Sequence, residues 1–343
     1  MSETPLVSVI VRTKDRPKLL KKALQSIAAQ TYRPIEVVLV NDGGCDLDVE
    51  EMKTVLGDVS LNYIRLEKNE GRAFAGNVGI ENAKGDYIGF LDDDDEFCPE
   101  HVSDLVFFLR QSDYKIAYAD SEIVFKDYNL ETKEISEVDK HIFSSKDFSF
   151  KDLLLENYIP LITIIFTRDV LTSAKGFDKS LELYEDWELL LRCGQINPFY
   201  HVKKVTSKYM QWSKELQIAQ SPDYWKKAEI AYDKVVGKHK EKFTPEVIRY
   251  FRDSAYKIRT ALGEKDNFIR TLEALLKDKD RVISDKDIQI KNLADHQHGL
   301  EESLKGKEAH INNILSGRGC RLLMKYYNAK SRILNLLMRG AKT

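Results

Sequence analysis

From Leu6 to about Asp120 the chain alternates short, almost wholly apolar runs with stretches whose apolar positions recur every three to four residues. The runs "LVSVIV" (6–11), "IEVVLVND" (35–42), "LNYIRL" (61–66), "DYIGFLD" (86–92) and "KIAYAD" (115–120) predict buried strands. "PKLLKKALQSIAAQ" (17–30) and "AFAGNVGIENAKG" (73–85) predict helices between them. Strands separated by helices of this length imply an α/β fold with a mostly parallel sheet and right-handed crossovers. Ligands in such sheets bind at the carboxyl ends of the strands. Thr13, Asp42, Asp92 and Asp94 all fall just after a strand run, on that one edge.

From about 150 to 213 the pattern is mixed: "LITIIFT" (161–167) reads as a strand and "LYEDWELLLRC" (183–193) as a helix with an acidic start. "SPDYWKKAEIAYDKVVGKH" (221–239) and "TPEVIRYFRDSAYKIRTAL" (244–262) read as helices, each with Ser or Thr at the N-cap and Pro at the next position. Beyond them a seven-residue repeat runs through Leu262, Ile269, Leu276, Ile283, Ile290, Gln297, Leu304 and Ile311. Three positions later, Leu272, Leu293, Leu300 and Ile314 alternate with Lys265, Lys279, Lys286 and Lys307. This predicts a left-handed coiled coil and a homo-oligomer, with Gln297 fixing register. The alternative is a single exposed charged helix, and the repeat does not choose between dimer, trimer and tetramer.

Composition narrows the classes. With 343 residues there is room for one large or two moderate domains. Lys plus Arg (53) nearly cancels Asp plus Glu (55), which argues against nucleic-acid binding by the whole protein. Cys45, Cys98, Cys193 and Cys320 are far apart, as in a reducing cytoplasm without structural zinc. "MSETPLVSVIVRTK" has no basic n-region, so no signal peptide is expected, and no apolar stretch approaches the ~18 residues of a membrane span. Residues 317–343 carry seven Lys or Arg and no acid, with Leu322, Tyr326, Ala329, Ile333 and Leu336 at helical spacing. They predict a basic amphipathic helix lying on anionic lipid, which places the protein peripherally on the inner face of the cell membrane.

The strongest chemical signal is "FLDDDDEF" (90–97), four adjacent carboxylates that repel one another at the end of a core strand. A solvated acidic turn fits poorly, because the cluster is closed by Pro99 rather than by Gly-rich coil. An EF-hand loop from Asp92 would need Gly at Phe97 and Glu at Ser103. "GRAFAG" (71–76) is followed by Asn77 and Val78 where a phosphate loop needs Lys and Ser or Thr. What remains is Mn²⁺ or Mg²⁺ held by one or two carboxylates and shared with substrate phosphates.

Taken together, "VSVIVRTKDRPKLLKKALQSIAAQTYRPIEVVLVNDGG", "NEGRAFAGNVGIENAKGDYIGFLDDDDEFCP" and "GFDKSLELYEDWELLLRC" resemble glycosyltransferase family 2, of the GT-A fold, over residues 5 to about 215. The resemblance implies an inverting transfer of sugar from a nucleotide-diphosphate donor to a glycan or lipid-linked acceptor. It implies that Thr13, Asp42, Arg72, Asp92 and Asp93 hold the nucleotide sugar, that Asp92 and Asp94 hold the metal, and that Asp95 orients the site. Asp186 matches the family's catalytic base, with Glu185 the adjacent alternative. Gly76 stands where many members have Arg, and His201 is kept outside the site as a structural residue. The expected domains are 1–215 catalytic, 216–258 a helical linker, 259–316 a coiled coil and 317–343 the membrane-associating helix. Two rivals are an oligomeric scaffold with an inactive domain and a nucleotidyltransferase; release of pyrophosphate rather than nucleoside diphosphate separates the latter.

Overall fold

Every residue of β1 (Val7–Thr13) and of β2 (Ile35–Asn41) is buried, because the two strands lie inside a sheet covered on both faces. The computed structural model describes residues 4–128, 135–143, 146–212, 222–316, 325–326 and 328–331. Val7, Val9 and Val11 face a core built with α1 (Pro17–Ala28), α2 (Val49–Leu56) and α4 (His101–Arg110). Ser8, Ile10 and Arg12 point the other way, where α3 (Arg72–Asn82) packs on β1 and β2.

Parallel pairing joins β3 (Ser60–Arg65), β2, β1 and β4 (Tyr87–Asp92) in that spatial order. This is the parallel half that the alternation of strands and helices predicts. Past β4 the sheet changes character. β8 (Ile164–Thr167) lies antiparallel to β4 and to β6 (Ile116–Tyr128), and β6 pairs parallel with β9 (Phe199–Trp212). The two-residue β5 (Glu96–Phe97) and β7 (Ile135–Phe143) also join antiparallel. The sheet is therefore mixed rather than mostly parallel. Antiparallel neighbours need no crossover helix, and among the described residues between β7 and β8 the regular structure is α5 (Phe150–Leu155) and one 3₁₀ turn, Leu161–Thr163. That turn takes the first three residues of the expected strand.

α6 (Arg168–Ala174) and α7 (Glu185–Gly194) follow β8, and α8 (Pro222–Lys238) follows β9. The last helix, α9 (Pro245–Ser316), is capped by Thr244, whose hydroxyl accepts from the Val247 amide at 3.4 Å. It runs without a break past residue 258, where the sequence suggested a boundary. The chain divides into one unit over residues 1–250 and a second over 251–343. The apolar repeat of α9 is more than half exposed, from 51% at Ile269 to 63% at Ile290. No helix among the described residues is long and apolar enough to cross a membrane. Most of 317–343, where the amphipathic helix is expected, lies outside the described residues.

The approach of α3 to β1 depends on Gly79, where an added Cβ would lie 2.3 Å from Ile10 Cγ2. Gly79→Ala should lower stability by about 1–3 kcal/mol, read as an earlier urea midpoint at unchanged slope.

Candidate active site

The four consecutive aspartates, the last residue of β4 and the turn after it, alternate between open and enclosed positions. The side chains of Asp92 and Asp94 are 31% and 17% exposed, whereas Asp93 is fully enclosed. Asp95 is also buried and accepts from the Met210 amide of β9 at 2.7 Å. The outward pair is the D-x-D pair, and the inward pair ties the loop to its surroundings.

Two arginines supply the counter-charge. Arg12, in β1, donates to Asp92 Oδ1 through Nη2 at 2.6 Å and through Nε at 3.2 Å. Arg16, at the start of α1, pairs with Asp93 and, through Nη1 at 2.9 Å, with Asp94. Trp212 Nε1 also donates to Asp94, at 3.2 Å. Burial works against the charge on Asp92, but Arg12, Arg72 and Arg16 outweigh it and hold its carboxyl below the usual range. On Asp93 burial wins over Arg16 and Thr13 and pushes the carboxyl up to about 7. Asp94 and Asp95 are raised by burial first, with neighbouring carboxylates adding to it.

Thr13 and Asp42 sit where the strand pattern puts them, at the ends of β1 and β2. Thr13 Oγ1 donates to Asp93 Oδ2 at 2.7 Å, so these two expected donor ligands bind each other. Asp42 accepts the amides of Glu70 and Gly71 at 2.7 and 2.9 Å. It thereby fixes the turn that starts α3 and carries Arg72.

α7 begins at Glu185, straight after Tyr184 in the left-handed region (φ 61°). Asp186 is half-buried: one oxygen accepts from Asn157 Nδ2 at 3.0 Å and the other from the Trp187 amide at 2.8 Å. Its place in the first helical turn favours a carboxylate. Glu185 is buried, its Oε1 lying 3.3 Å from Arg72 Nε and 3.6 Å from Arg12 Nη1. His201 lies away from the aspartates, between Asp120 and Asp147 at 2.9 and 3.1 Å and stacked on Tyr118.

The donor set suits a small hard cation. Among the described residues no three His, Cys, Asp or Glu side chains form a closed cage. Two solvent-reaching carboxylates remain, Asp92 and Asp94, and Mg²⁺ or Mn²⁺ bound with a diphosphate needs no more. The like charge of Asp92 raises Asp94, a repulsion that a cation there relieves. Sequence reasoning missed Arg12, Arg16, Asn157 and Trp212. Arg12 did leave a signal, since a lone arginine inside an apolar strand requires a buried partner.

Comparison with known proteins follows the same lines. The family model for Glycosyl transferase family 2 matches residues 8–170. An uncharacterised glycosyltransferase of Bacillus subtilis, YwdF, is 30% identical over 201 residues, 58% of this chain and 70% of that protein. WcaA of Escherichia coli, a glycosyl transferase named for colanic acid biosynthesis, is 27% identical over 266 residues, 76% of this chain and 90% of that one. The mannosyltransferase PcManGT from Pyrobaculum calidifontis, solved with GDP-Man and Mn²⁺, superposes with a TM-score of 0.51 at 16% identity. That likeness covers 72% of this chain and 69% of the other, and it is one of GT-A fold.

The raised carboxyls set a pH dependence of stability. Unfolded aspartates ionise near pH 4, whereas folded Asp93 holds its proton to about 7, so unfolding releases protons between these values. The Asp93 contribution to stability in metal-free buffer should therefore fall as pH rises from about 4 to about 7, against an opposing rise from His101, whose burial holds its imidazole neutral down to about 3. Asp93→Asn should make that decline in Tm shallower, with Asp94 and Asp95 sustaining the rest.

Proposed function

The chain belongs to glycosyltransferase family 2 and is a glycosyltransferase, and on that premise we propose that it is inverting and metal-dependent. It moves a sugar from a nucleoside-diphosphate donor to a hydroxyl of a glycan or lipid-linked glycan in cell-surface polysaccharide assembly. The observation that carries this reading is one sheet edge bearing two distinct acidic stations. Asp92 and Asp94 open to solvent at the end of β4, and Asp186 stands apart from them at the start of α7.

The roles follow from position. Thr13 and Asp42 mark the nucleotide side, with the enclosed Asp93 holding Thr13 from behind rather than meeting the donor, and Arg72, with its side chain 53% exposed, reaches the donor diphosphate. Bound Mn²⁺ or Mg²⁺ at Asp92 and Asp94 would offset charge on the departing diphosphate. Asp186, oriented by Asn157, takes the proton of the acceptor hydroxyl as it attacks the anomeric carbon from the face opposite the leaving group. One base and one displacement invert that carbon without a covalent intermediate. The name of WcaA supports a polysaccharide setting. The stripe on α9 supports self-association, and the basic residues 317–343 support attachment to anionic lipid on the inner face of the cell membrane.

A panel of nucleotide sugars should identify a donor whose turnover releases nucleoside diphosphate and stops in EDTA. Asp186→Asn should cut kcat by about 100-fold or more while donor affinity stays within a few-fold. Full activity in EDTA would remove the metal from the reading. A Glu185→Gln enzyme inactive beside a working Asp186→Asn would move the base by one residue.

The oligomer has its own check. By light scattering a chain ending at Ser254 should be monomeric, and the full chain should not be at micromolar concentration.

A further inference from the structure

Four side chains of alternating sign form a line from the D-x-D pair through the start of α7 to the start of α3. Asp92 meets Arg12 at 2.6 Å, Arg12 meets Glu185 at 3.6 Å, and Glu185 meets Arg72 at 3.3 Å. A second Arg72 nitrogen, Nη2, lies 3.4 Å from the other Glu185 oxygen, so the fork is held at two points. Arg12 also donates to the Arg72 carbonyl at 3.3 Å, and its guanidinium lies 5.7 Å from the Phe177 ring centroid. The side chains of the inner members, Arg12 and Glu185, are 7% and 3% exposed; those of the outer members, Asp92 and Arg72, are 31% and 53% exposed. The line thus crosses β4, β1, α7 and α3 with only its ends in solvent.

We propose that Glu185 and Arg12 are positioning residues, with Glu185 anchored by Arg12 and aiming the Arg72 guanidinium at the donor diphosphate. This rests on the reading of Arg72 as the diphosphate contact. An exposed arginine without an anchor spreads over many rotamers, and ordering it on binding subtracts from affinity. A fork held in advance on a buried carboxylate avoids that loss and presents its remaining N–H groups in fixed directions. Glu185 is badly placed to be the base. Both oxygens of its buried carboxylate face guanidinium groups, whereas Asp186 reaches solvent and, among the described residues, bonds to an amide side chain and a backbone N–H. The line also joins the two stations of the site. Arg12 touches a D-x-D carboxylate at one end and, through Glu185, the helix start that carries Asp186.

A double-mutant cycle on the full chain separates aiming from general support. Binding of UDP, GDP and dTDP is titrated by calorimetry, and the best ligand of the wild type is carried through the variants. Arg72→Gln should weaken it about 10-fold and Glu185→Gln about 5-fold. The double variant should be no more than about 2-fold weaker than Arg72→Gln alone, because Glu185 has nothing left to aim. Arg12→Lys keeps the charge but loses the fork, and should weaken binding in the same direction as Glu185→Gln even where the latter folds poorly. Fully additive losses, or wild-type affinity in Glu185→Gln beside a weakened Arg72→Gln, would overturn the aiming role alone. Wild-type affinity in Arg72→Gln, or no nucleoside diphosphate bound by the wild type, would overturn the diphosphate reading and the inference together.

Discussion

Pairing between the first three of four consecutive aspartates and two arginines of the first strand and its following turn underlies the whole candidate site. Two like charges 4 Å apart repel by about 4 kcal/mol at the effective dielectric of a protein surface, and here several such repulsions fall at one strand end. Arg12 and Arg16 reach this point because β1 and β4 are neighbours in register, with Arg12 opposite Asp92. Enclosing a guanidinium and a carboxylate costs several kcal/mol per ion, and the pairing roughly repays that without a surplus. An apolar pair would serve stability as well, so the arrangement makes sense as geometry: it sets which carboxylates face out and which are used up inside.

The same logic extends to Arg72, held from both ends. On its N-terminal side, Asp42 accepts the amides of Glu70 and Gly71, which brings the turn against the end of β2. Gly43 makes that approach possible, since its φ is +66° and an added Cβ would lie 2.2 Å from the Lys68 carbonyl carbon. On its side-chain end, Glu185 takes the guanidinium. Asp42 therefore acts on the site through backbone as well as through any direct contact with a nucleotide.

Much of this could be read from the chain before any coordinates. Apolar runs gave five strands, most plainly β1 and β2, which are buried on both faces and show no polar face, and the acids following them pointed to the candidate site. The antiparallel β8 was not legible as such, since periodicity records burial and says nothing of direction. Nor was the division of labour within "DDDD", since only Asp92 belongs to the strand and the turn after it sets which of the others face out. Charge pairing across about 80 residues leaves no local pattern for Arg16, and for Arg12 it leaves only the trace of a lone arginine in an apolar strand, which names no partner. Glu185 and Asp186 were adjacent candidates by resemblance, and burial tells them apart: Glu185, enclosed by arginines, suits the proposed anchor, and Asp186, which reaches solvent, suits the proposed base.

α9 poses the opposite problem, a clear pattern with no enclosed partner among the described residues. A fully buried Leu or Ile contributes about 1.5–3 kcal/mol, and those of the α9 repeat lie more than half exposed. A helix of 72 residues bearing such a stripe has much to gain from covering it. Lysines at Lys265, Lys279, Lys286 and Lys307 limit that gain, since each must reach water from beside the seam. None of the proposed catalytic or donor-contacting groups comes from this helix; all lie between Thr13 and Asp186. Self-association through α9 would therefore act on the number and placement of sites, and the chemistry of each would stay with its own chain.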